Sequence, residues 1–231
     1  HLESGLIPNV FPEKQEPEYN TADGTLWLVE TFFRAWSPEE LKGEKGEWYW
    51  EKLKTILRAY QEGTRHDIRM DHDGLIIAGA PGSQLTWMDI KVEGEVPTPR
   101  HGKPVEVQAL WYNALQLMQN AARQLGELEL ADHYGRHADR DGPDTVEVSE
   151  RPNMVIPFGL QNNIVPEEKR PRVLWAAARD LLTPRGLRSV SRRHPEYRGI
   201  YAGNRLARDR AYHPGTAWLW LIAPFLKGEE D

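Results

Sequence analysis

The chain has 231 residues and carries 29 Lys and Arg against 35 Asp and Glu, which gives a formal net charge of −6. This length supports a sizeable hydrophobic core, so the composition is that of a folded protein rather than a disordered one. The negative balance argues against nucleic acid as a partner, because phosphate backbones are bound by basic surfaces. The lack of cysteine excludes disulfides and thiolate metal sites, as expected in a reducing, cytoplasmic compartment.

Two further classes are disfavoured by the sequence. No apolar run approaches the roughly 20 residues of a membrane-spanning helix, so no membrane partner is expected. The eight histidines are scattered along the chain, and we therefore predict no metal site.

Apolar residues at three- and four-residue spacing predict the first two helices. The first begins near Thr21 or Asp23, either of which is a suitable cap, and it ends at Ser37-Pro38. The second runs from about Glu47 to Gln61, with Gly63 as its stop signal.

The middle of the chain combines a hairpin signal with the best-defined helix. The turn Asp71-His72-Asp73-Gly74, between Arg65 and Ala80, predicts a small β-hairpin. Pro104 opens a helix that extends to about Leu125. Helical character continues from Glu127 to about His137, and Asp139 to Glu150 is predicted as a charged loop.

The last third of the chain alternates helices with long loops. A short apolar segment from Pro152 to Leu160 precedes a helix from Glu167 to Leu182, and residues 183 to 211 are predicted to be irregular and rich in Arg, Gly and Tyr. A final helix is expected from about Thr216 to Leu226, kinked by Pro224. Because strands do not alternate with helices, we predict an all-α fold with its loops gathered over one end.

One segment carries the chemistry of a sugar site. Gln84 to Asp89 places an aspartate next to a tryptophan in a loop, and the helix after Pro104 carries Glu106 and Trp111. Pyranose rings stack on indoles, and hydrolysis of a glycosidic bond needs two placed carboxyl groups. The pattern therefore favours a glycoside hydrolase.

Several stretches, in order along nearly the whole chain, resemble the glucosidase domain of glycogen debranching enzymes, the amylo-α-1,6-glucosidase type. They are Gly5-Leu6-Ile7-Pro8-Asn9, Tyr19 to Trp27, Leu85-Thr86-Trp87-Met88-Asp89, Pro99 to Leu115, Arg151-Pro152-Asn153, Leu182 to Ser189 and Tyr212 to Trp218. The resemblance implies an α/α toroid of helical hairpins, the six-hairpin glycosidase type. It also implies release, with inversion, of the α-1,6-linked glucose at branch stubs of glycogen or limit dextrin.

A toroid of this type has twelve helices, whereas the pattern here gives six or seven. We therefore expect residues 1–231 to form a single glucosidase-like toroid domain that is partial, with a small β-hairpin insertion. The missing helices would come from other parts of the same parent protein or from partner chains. A glycogen-like α-glucan is the expected binding partner.

The resemblance assigns catalytic roles unevenly. Asp89 matches the family's general acid, with Trp87 as the apolar wall that raises its pKa; the structural alternative is that Asp89 only caps a turn. The position of the family's base corresponds to the stretch His213 to Ala217, which contains no carboxylate. Glu106 is the remaining candidate, and it could equally bind a sugar hydroxyl or the dipole of its helix.

Other residues are predicted to line the glucose subsite. These substrate-binding candidates are Tyr19, Asn20, Asp23, Trp27, Trp87, Lys103, Trp111, His213 and Trp218. Each of several candidates also has a purely structural interpretation. Asp23 could cap a helix, Trp27 and Trp111 could pack in the core, and Lys103 could be a solvated surface charge. No cofactor is expected, because carboxyl groups fill both catalytic roles.

Two alternatives to an α-1,6-glucosidase stay open. One is a glycan-binding or structural remnant without turnover, and the other is a related toroid glycosidase, glucoamylase- or trehalase-like, with another linkage specificity. Fold alone does not decide the linkage.

Overall fold

The computed structural model describes residues 1–138 and 150–230, and helices dominate it. The predicted all-α class is therefore confirmed, with the strands confined to two small antiparallel sheets. Apart from Glu150, the predicted loop at 139–150 lies outside the described residues. Two compact units divide the chain: an N-terminal unit, His1–Trp87 with Arg100–Asp144, and a C-terminal unit, Met88–Pro99 with Thr145–Asp231.

Four helices build the N-terminal unit: α1 (Gly24–Ala35), α2 (Glu44–Glu62), α3 (Val105–Leu125) and α4 (Leu128–Ala138). The predicted helices are confirmed, although α2 begins three residues earlier than expected. Helix α3 supplies more buried apolar residues than any other helix of this unit and packs on α4 and α1. It ends at Gly126, whose φ of 83° suits glycine at a helix C-terminus.

The predicted hairpin is also confirmed. Strands β1 (Arg69–Met70) and β2 (Ile76–Ile77) pair antiparallel. Gln108 of α3 holds the hairpin, because its side-chain oxygen accepts from Ile76 N at 2.8 Å and its amide donates to Ile76 O at 2.9 Å. The hairpin is thereby fixed at the start of α3.

The C-terminal unit holds four α-helices and three β-strands in its described residues. They are α5 (Ile156–Gly159), α6 (Arg170–Asp180), β3 (Leu182–Thr183), β4 (Gly186–Arg188), α7 (Arg205–Tyr212), β5 (Ala217–Trp218) and α8 (Ile222–Glu230). Strands β3, β4 and β5 form a three-stranded antiparallel sheet.

The structure corrects two sequence predictions in this unit. The segment 183–211 is only partly irregular, because it contains strand β4 and helix α7, whereas residues 189–204 hold neither helix nor strand. The final helix begins at Ile222, after strand β5 and a 3-10 turn at Leu219–Leu221. Pro224 therefore lies in the first turn of α8, where a missing N–H costs no intrahelical bond and causes no kink.

None of the helices in the described ranges combines the length and apolarity of a membrane crossing.

The closed ring of twelve helices that the family resemblance implies stays a prediction.

Candidate functional site

The loop that carries the predicted acid begins at a buried anchor in the N-terminal unit. Asp23 is 4% exposed, and its Oδ2 accepts a hydrogen bond from Trp87 N at 2.7 Å while its Oδ1 accepts from Thr21 Oγ1 at 2.6 Å. Ala22 N also donates to Leu85 O at 2.7 Å. The backbone of the loop is therefore fixed two residues before Asp89.

Asp23 is not the side-chain cap that the sequence allowed, since its carboxylate makes no capping bond to α1. Burial raises the pKa of this carboxyl, and the bonds from Thr21 and Trp87 oppose that rise. Both oxygens are engaged with the protein, so direct binding of a sugar hydroxyl by Asp23 stays a prediction.

The next two residues of the loop belong to the C-terminal unit. Met88 is fully buried; its sulfur accepts a hydrogen bond from Asn153 Nδ2 at 3.9 Å, and its carbonyl accepts from Thr98 Oγ1 at 3.4 Å. Asp89 follows as an exposed residue. The candidate acid thus lies at the surface of its unit, directly after a well-anchored stretch of backbone.

Glu106 lies in the first turn of α3 and is completely buried. Its carboxylate forms an ion pair with Arg100, with an Nε to Oε1 distance of 3.1 Å and a second contact between Nη2 and Oε2. Burial raises the pKa of Glu106, Arg100 opposes this rise, and the nearby Asp23 adds to it. A carboxylate in this state is better suited to holding Arg100 than to activating water, so its role as a base stays an unsupported prediction.

Lys103 is not the solvated surface charge that the sequence allowed, because it is half-buried and ion-paired, and its binding of substrate stays a prediction. Its ammonium group lies 2.8 Å from Asp71 Oδ2 and 2.5 Å from Asp73 Oδ2 in the hairpin turn. Burial lowers the pKa of Lys103, but the hydrogen bonds to both carboxylates outweigh burial, so the pKa is raised. The same bonds hold the pKa of Asp71 well below its usual range.

Two aromatic candidates are packed by neighbours within the N-terminal unit. Trp111 is 2% exposed, stacks on Tyr60 with centroids 5.9 Å apart, and donates its indole N–H to Gly74 O at 3.2 Å. Tyr19 is buried with the Arg65 guanidinium 4.9 Å from its ring centroid. Neither ring is available for stacking on a sugar in this arrangement.

Asn20 and Trp27 are half-buried beside this core. The Oδ1 atom of Asn20 is shielded from solvent and accepts no hydrogen bond from the described residues. Because solvent does not reach this oxygen, binding of a sugar hydroxyl by Asn20 stays a prediction.

A second cluster surrounds His213 in the C-terminal unit. The His213 ring is fully buried and stacks on Trp218 with centroids 5.4 Å apart, while Tyr212 meets Trp218 edge-on at 5.0 Å. Burial, with a smaller effect of Arg151, lowers the pKa of His213 to about 3. His213 is therefore neutral near pH 7 and offers hydrogen bonding rather than charge.

Sequence reasoning missed the residues that hold the loop. Thr98 and Asn153 hold Met88, Thr21 bonds the Asp23 carboxylate, and Arg100 pairs with Glu106. Three of these residues were within reach of prediction, because Thr21, Arg100 and Asn153 lie in stretches that carry the family resemblance; Thr98 has no local signal.

The expectation that all histidines are scattered is wrong for one pair, since His133 and His137 already stand in His-x-x-x-His spacing in the sequence. They lie one helical turn apart on α4, with ring centroids separated by 4.7 Å, and Gln61 contacts His133 Nε2 at 3.0 Å. No group of three or more His, Asp or Glu residues with metal-site geometry occurs in residues 1–138 and 150–230.

One comparison with known families bears on this arrangement. The family model described as amylo-alpha-1,6-glucosidase matches residues 1–141 and 129–230, which together span almost the whole chain. This match agrees with the family resemblance seen in the sequence, which includes the Trp87-Met88-Asp89 loop. It places the chain among domains of glycoside hydrolase type. The chain belongs to the amylo-alpha-1,6-glucosidase family.

Proposed function

We propose that this domain releases glucose from the α-1,6 branch stubs of a glycogen-like α-glucan, with inversion and with Asp89 as general acid, in the cytoplasm and within an α/α toroid. The proposal rests on family membership and on the position of Asp89, which is exposed directly after two residues whose backbone is fixed by buried bonds. No bound cofactor enters the scheme.

In this scheme Asp89 protonates the glycosidic oxygen as its bond to the anomeric carbon breaks. A water oxygen attacks that carbon from the opposite face and gives its proton to a base. An inverting enzyme needs the two groups about 6.5 to 9.5 Å apart. We leave the base unassigned, since Glu106 is buried against Arg100.

A panel of disaccharides tests the linkage. Hydrolysis of the α-1,6 linkage in preference to α-1,4 and α,α-1,1 linkages is expected, with β-glucose as the first product by NMR. Preference for α-1,4 or α,α-1,1 substrates would instead identify a glucoamylase- or trehalase-like enzyme.

A specific observation favours a second candidate, a glycan-binding domain without turnover. The stretch His213-Pro214-Gly215-Thr216-Ala217 has no carboxylate where the family resemblance places a base. Titration with maltooligosaccharide, followed by tryptophan fluorescence, separates the candidates: binding without any release of glucose supports the second, and release of glucose excludes it.

A further inference from the structure

A basic segment lies in the C-terminal unit, although the chain as a whole is acidic. Residues 183–210 contain eight arginines and no lysine, against two acidic residues, Glu196 and Asp209. The whole-chain balance of −6 conceals this local excess. A concentrated positive charge attracts anionic ligands.

A cleft of about 380 Å³ opens within this segment. The turn between β3 and β4 contributes Arg185, β4 contributes Arg188, and the following loop contributes Arg192 with Tyr197 and Tyr201. Three guanidinium groups and two phenol rings therefore line one small concavity.

The backbone that lines the cleft is tied together. Ser189 N donates to Thr216 O and Gly215 N donates to Ser189 Oγ, both at 2.9 Å, and Arg198 N donates to Pro214 O at 2.6 Å. Gly215 has a φ of 141°, and a Cβ there would lie 2.6 Å from Arg198 O. The close approach of these segments requires glycine, so the base of the cleft is preformed.

Three of the five arginines that lie in this segment but outside the cleft pair with carboxylates. Arg193 pairs with Asp180 and Glu150, Arg205 with Asp209, and Arg210 with Glu93.

Arg185 and Arg192, in contrast, have side chains that make no hydrogen bond or ion pair with the rest of the described chain, and both are exposed. Arg188 donates one Nη1 bond to Leu182 O at 3.4 Å and keeps its other donors. Of the five arginines in the segment without a carboxylate partner among the described residues, Arg185, Arg188 and Arg192 line the cleft, and Arg198 and Arg208 lie outside it.

These groups match the chemistry of a phosphate ester. A guanidinium stays charged at any physiological pH and donates paired hydrogen bonds to phosphate oxygens, and a phenol ring contacts a pyranose face while its hydroxyl binds a ring hydroxyl. The volume lies near the lower end for small-molecule sites. We propose that the cleft binds the phosphoryl group of a phosphorylated sugar through Arg185, Arg188 and Arg192, with Tyr197 and Tyr201 against the sugar. This proposal does not depend on catalysis by Asp89.

Calorimetric titration with glucose 6-phosphate tests it, with glucose and inorganic phosphate as reference ligands. Wild type should bind glucose 6-phosphate more tightly than either reference. Replacing each unpaired guanidinium, as Arg185→Gln or Arg192→Gln, should weaken binding about tenfold, because charge-assisted hydrogen bonds are lost. Arg208→Gln is the matched control, since Arg208 belongs to the same segment but lies outside the cleft.

Several outcomes would overturn the assignment. Equal weakening by Arg208→Gln, or tighter binding of single-stranded RNA than of glucose 6-phosphate, would indicate a diffuse polyanion surface. Inorganic phosphate binding as tightly as glucose 6-phosphate would remove the sugar from the proposal, and unchanged binding by the Arg185→Gln, Arg192→Gln double variant would remove the cleft.

The source of the phosphorylated sugar is a separate arm of the experiment. A phosphorylated glucan and the same glucan after phosphatase treatment are compared with glucose 6-phosphate. Selective retention of the phosphorylated glucan supports a site for polymer-borne phosphate, and binding of glucose 6-phosphate alone supports a site for the free sugar phosphate.

Discussion

The buried carboxylate of Asp23 fixes the backbone of the loop that carries the candidate acid, Asp89. One Asp23 oxygen accepts the N–H of Trp87 and the other accepts the hydroxyl of Thr21, so the peptide that leads to Asp89 is held by a group away from solvent. A buried donor left without its acceptor is costly, which makes this pair of bonds a strong constraint on the loop. We infer that Asp23 positions the loop.

Asp23→Ala should lower the free energy of unfolding by about 1 to 3 kcal/mol, because the Trp87 N–H and the Thr21 hydroxyl lose their acceptor. Urea denaturation measures the change. Asp23→Asn is the matched control, as it keeps the size and one acceptor oxygen, and its effect should be smaller. Equal stability of wild type and the alanine variant would contradict the anchoring role.

His213 should make stability depend on pH. Its pKa falls from an ordinary value of 6.5 to about 3 in the folded chain, so the unfolded chain takes up the proton first as the pH is lowered. The neutral ring therefore contributes its full stability above pH 6.5 and loses it progressively towards pH 3.

His213→Gln removes this titration, and the difference in unfolding free energy between wild type and variant should shrink as the pH falls from 7 to 4. Denaturation curves at several pH values provide the measurement. A difference that stays constant over this range would show that His213 titrates normally.

At the level of elements, the start of α3 is fixed by two ionic contacts. Glu106 in its first turn pairs with Arg100, and Lys103 just before it joins both aspartates of the hairpin turn. The sequence identified α3 by its apolar period and its Pro104. It did not reveal these pairs, because ion pairs between a loop residue and a helix or hairpin leave no periodic signal.

Glu106→Gln should destabilise the fold by about 3 to 5 kcal/mol, since it leaves the Arg100 charge buried without its partner. The double replacement Arg100→Met with Glu106→Leu should recover most of that loss. A double-mutant cycle by chemical denaturation tests this expectation. If Glu106→Gln instead folds with wild-type stability and loses only turnover, the residue is catalytic rather than structural.

Lys103→Met should bring the pKa values of Asp71 and Asp73 up towards their ordinary value, measured by carboxyl NMR titration. Both are lowered in the folded chain, so their contribution to stability is present above the ordinary value of 3.8 and is lost as the pH falls below it. Lys42→Met, at an exposed position, is the matched control and should leave both titrations unchanged. Unaltered titrations in Lys103→Met would contradict the ionic contact.

For the whole molecule, sequence periodicity predicted the N-terminal unit better than the C-terminal unit. Helices α1 to α4 carry long amphipathic patterns, whereas β4 and β5 are two or three residues long and depend on pairing with segments distant in sequence. The Leu187 to Trp218 register, for example, requires Gly186, where a Cβ would lie 2.4 Å from Trp218 O. Such a contact becomes visible only in three dimensions.

In the candidate site, too, local patterns were predictable from the sequence and contacts between distant segments were not. Asp89 was found by its motif, and the structure adds that it is exposed, yet its supports Thr98 and Asn153 come from separate parts of the chain. Trp111 and Lys103 have the residue types of a sugar site, but core packing and ion pairing decide their surroundings. Residue type therefore indicated the chemistry, while contacts distant in sequence set which groups are accessible.

The most direct test of the account is the release of glucose from a glucosyl-branched cyclodextrin by wild type, Asp89→Asn and the matched control Asp132→Asn, whose aspartate is exposed on α4. We predict release by wild type and the control, and a loss of about 10²- to 10⁴-fold in Asp89→Asn, the usual contribution of a general acid. Release by Asp89→Asn at the wild-type rate would contradict the assignment of Asp89 and, with it, the proposed mechanism.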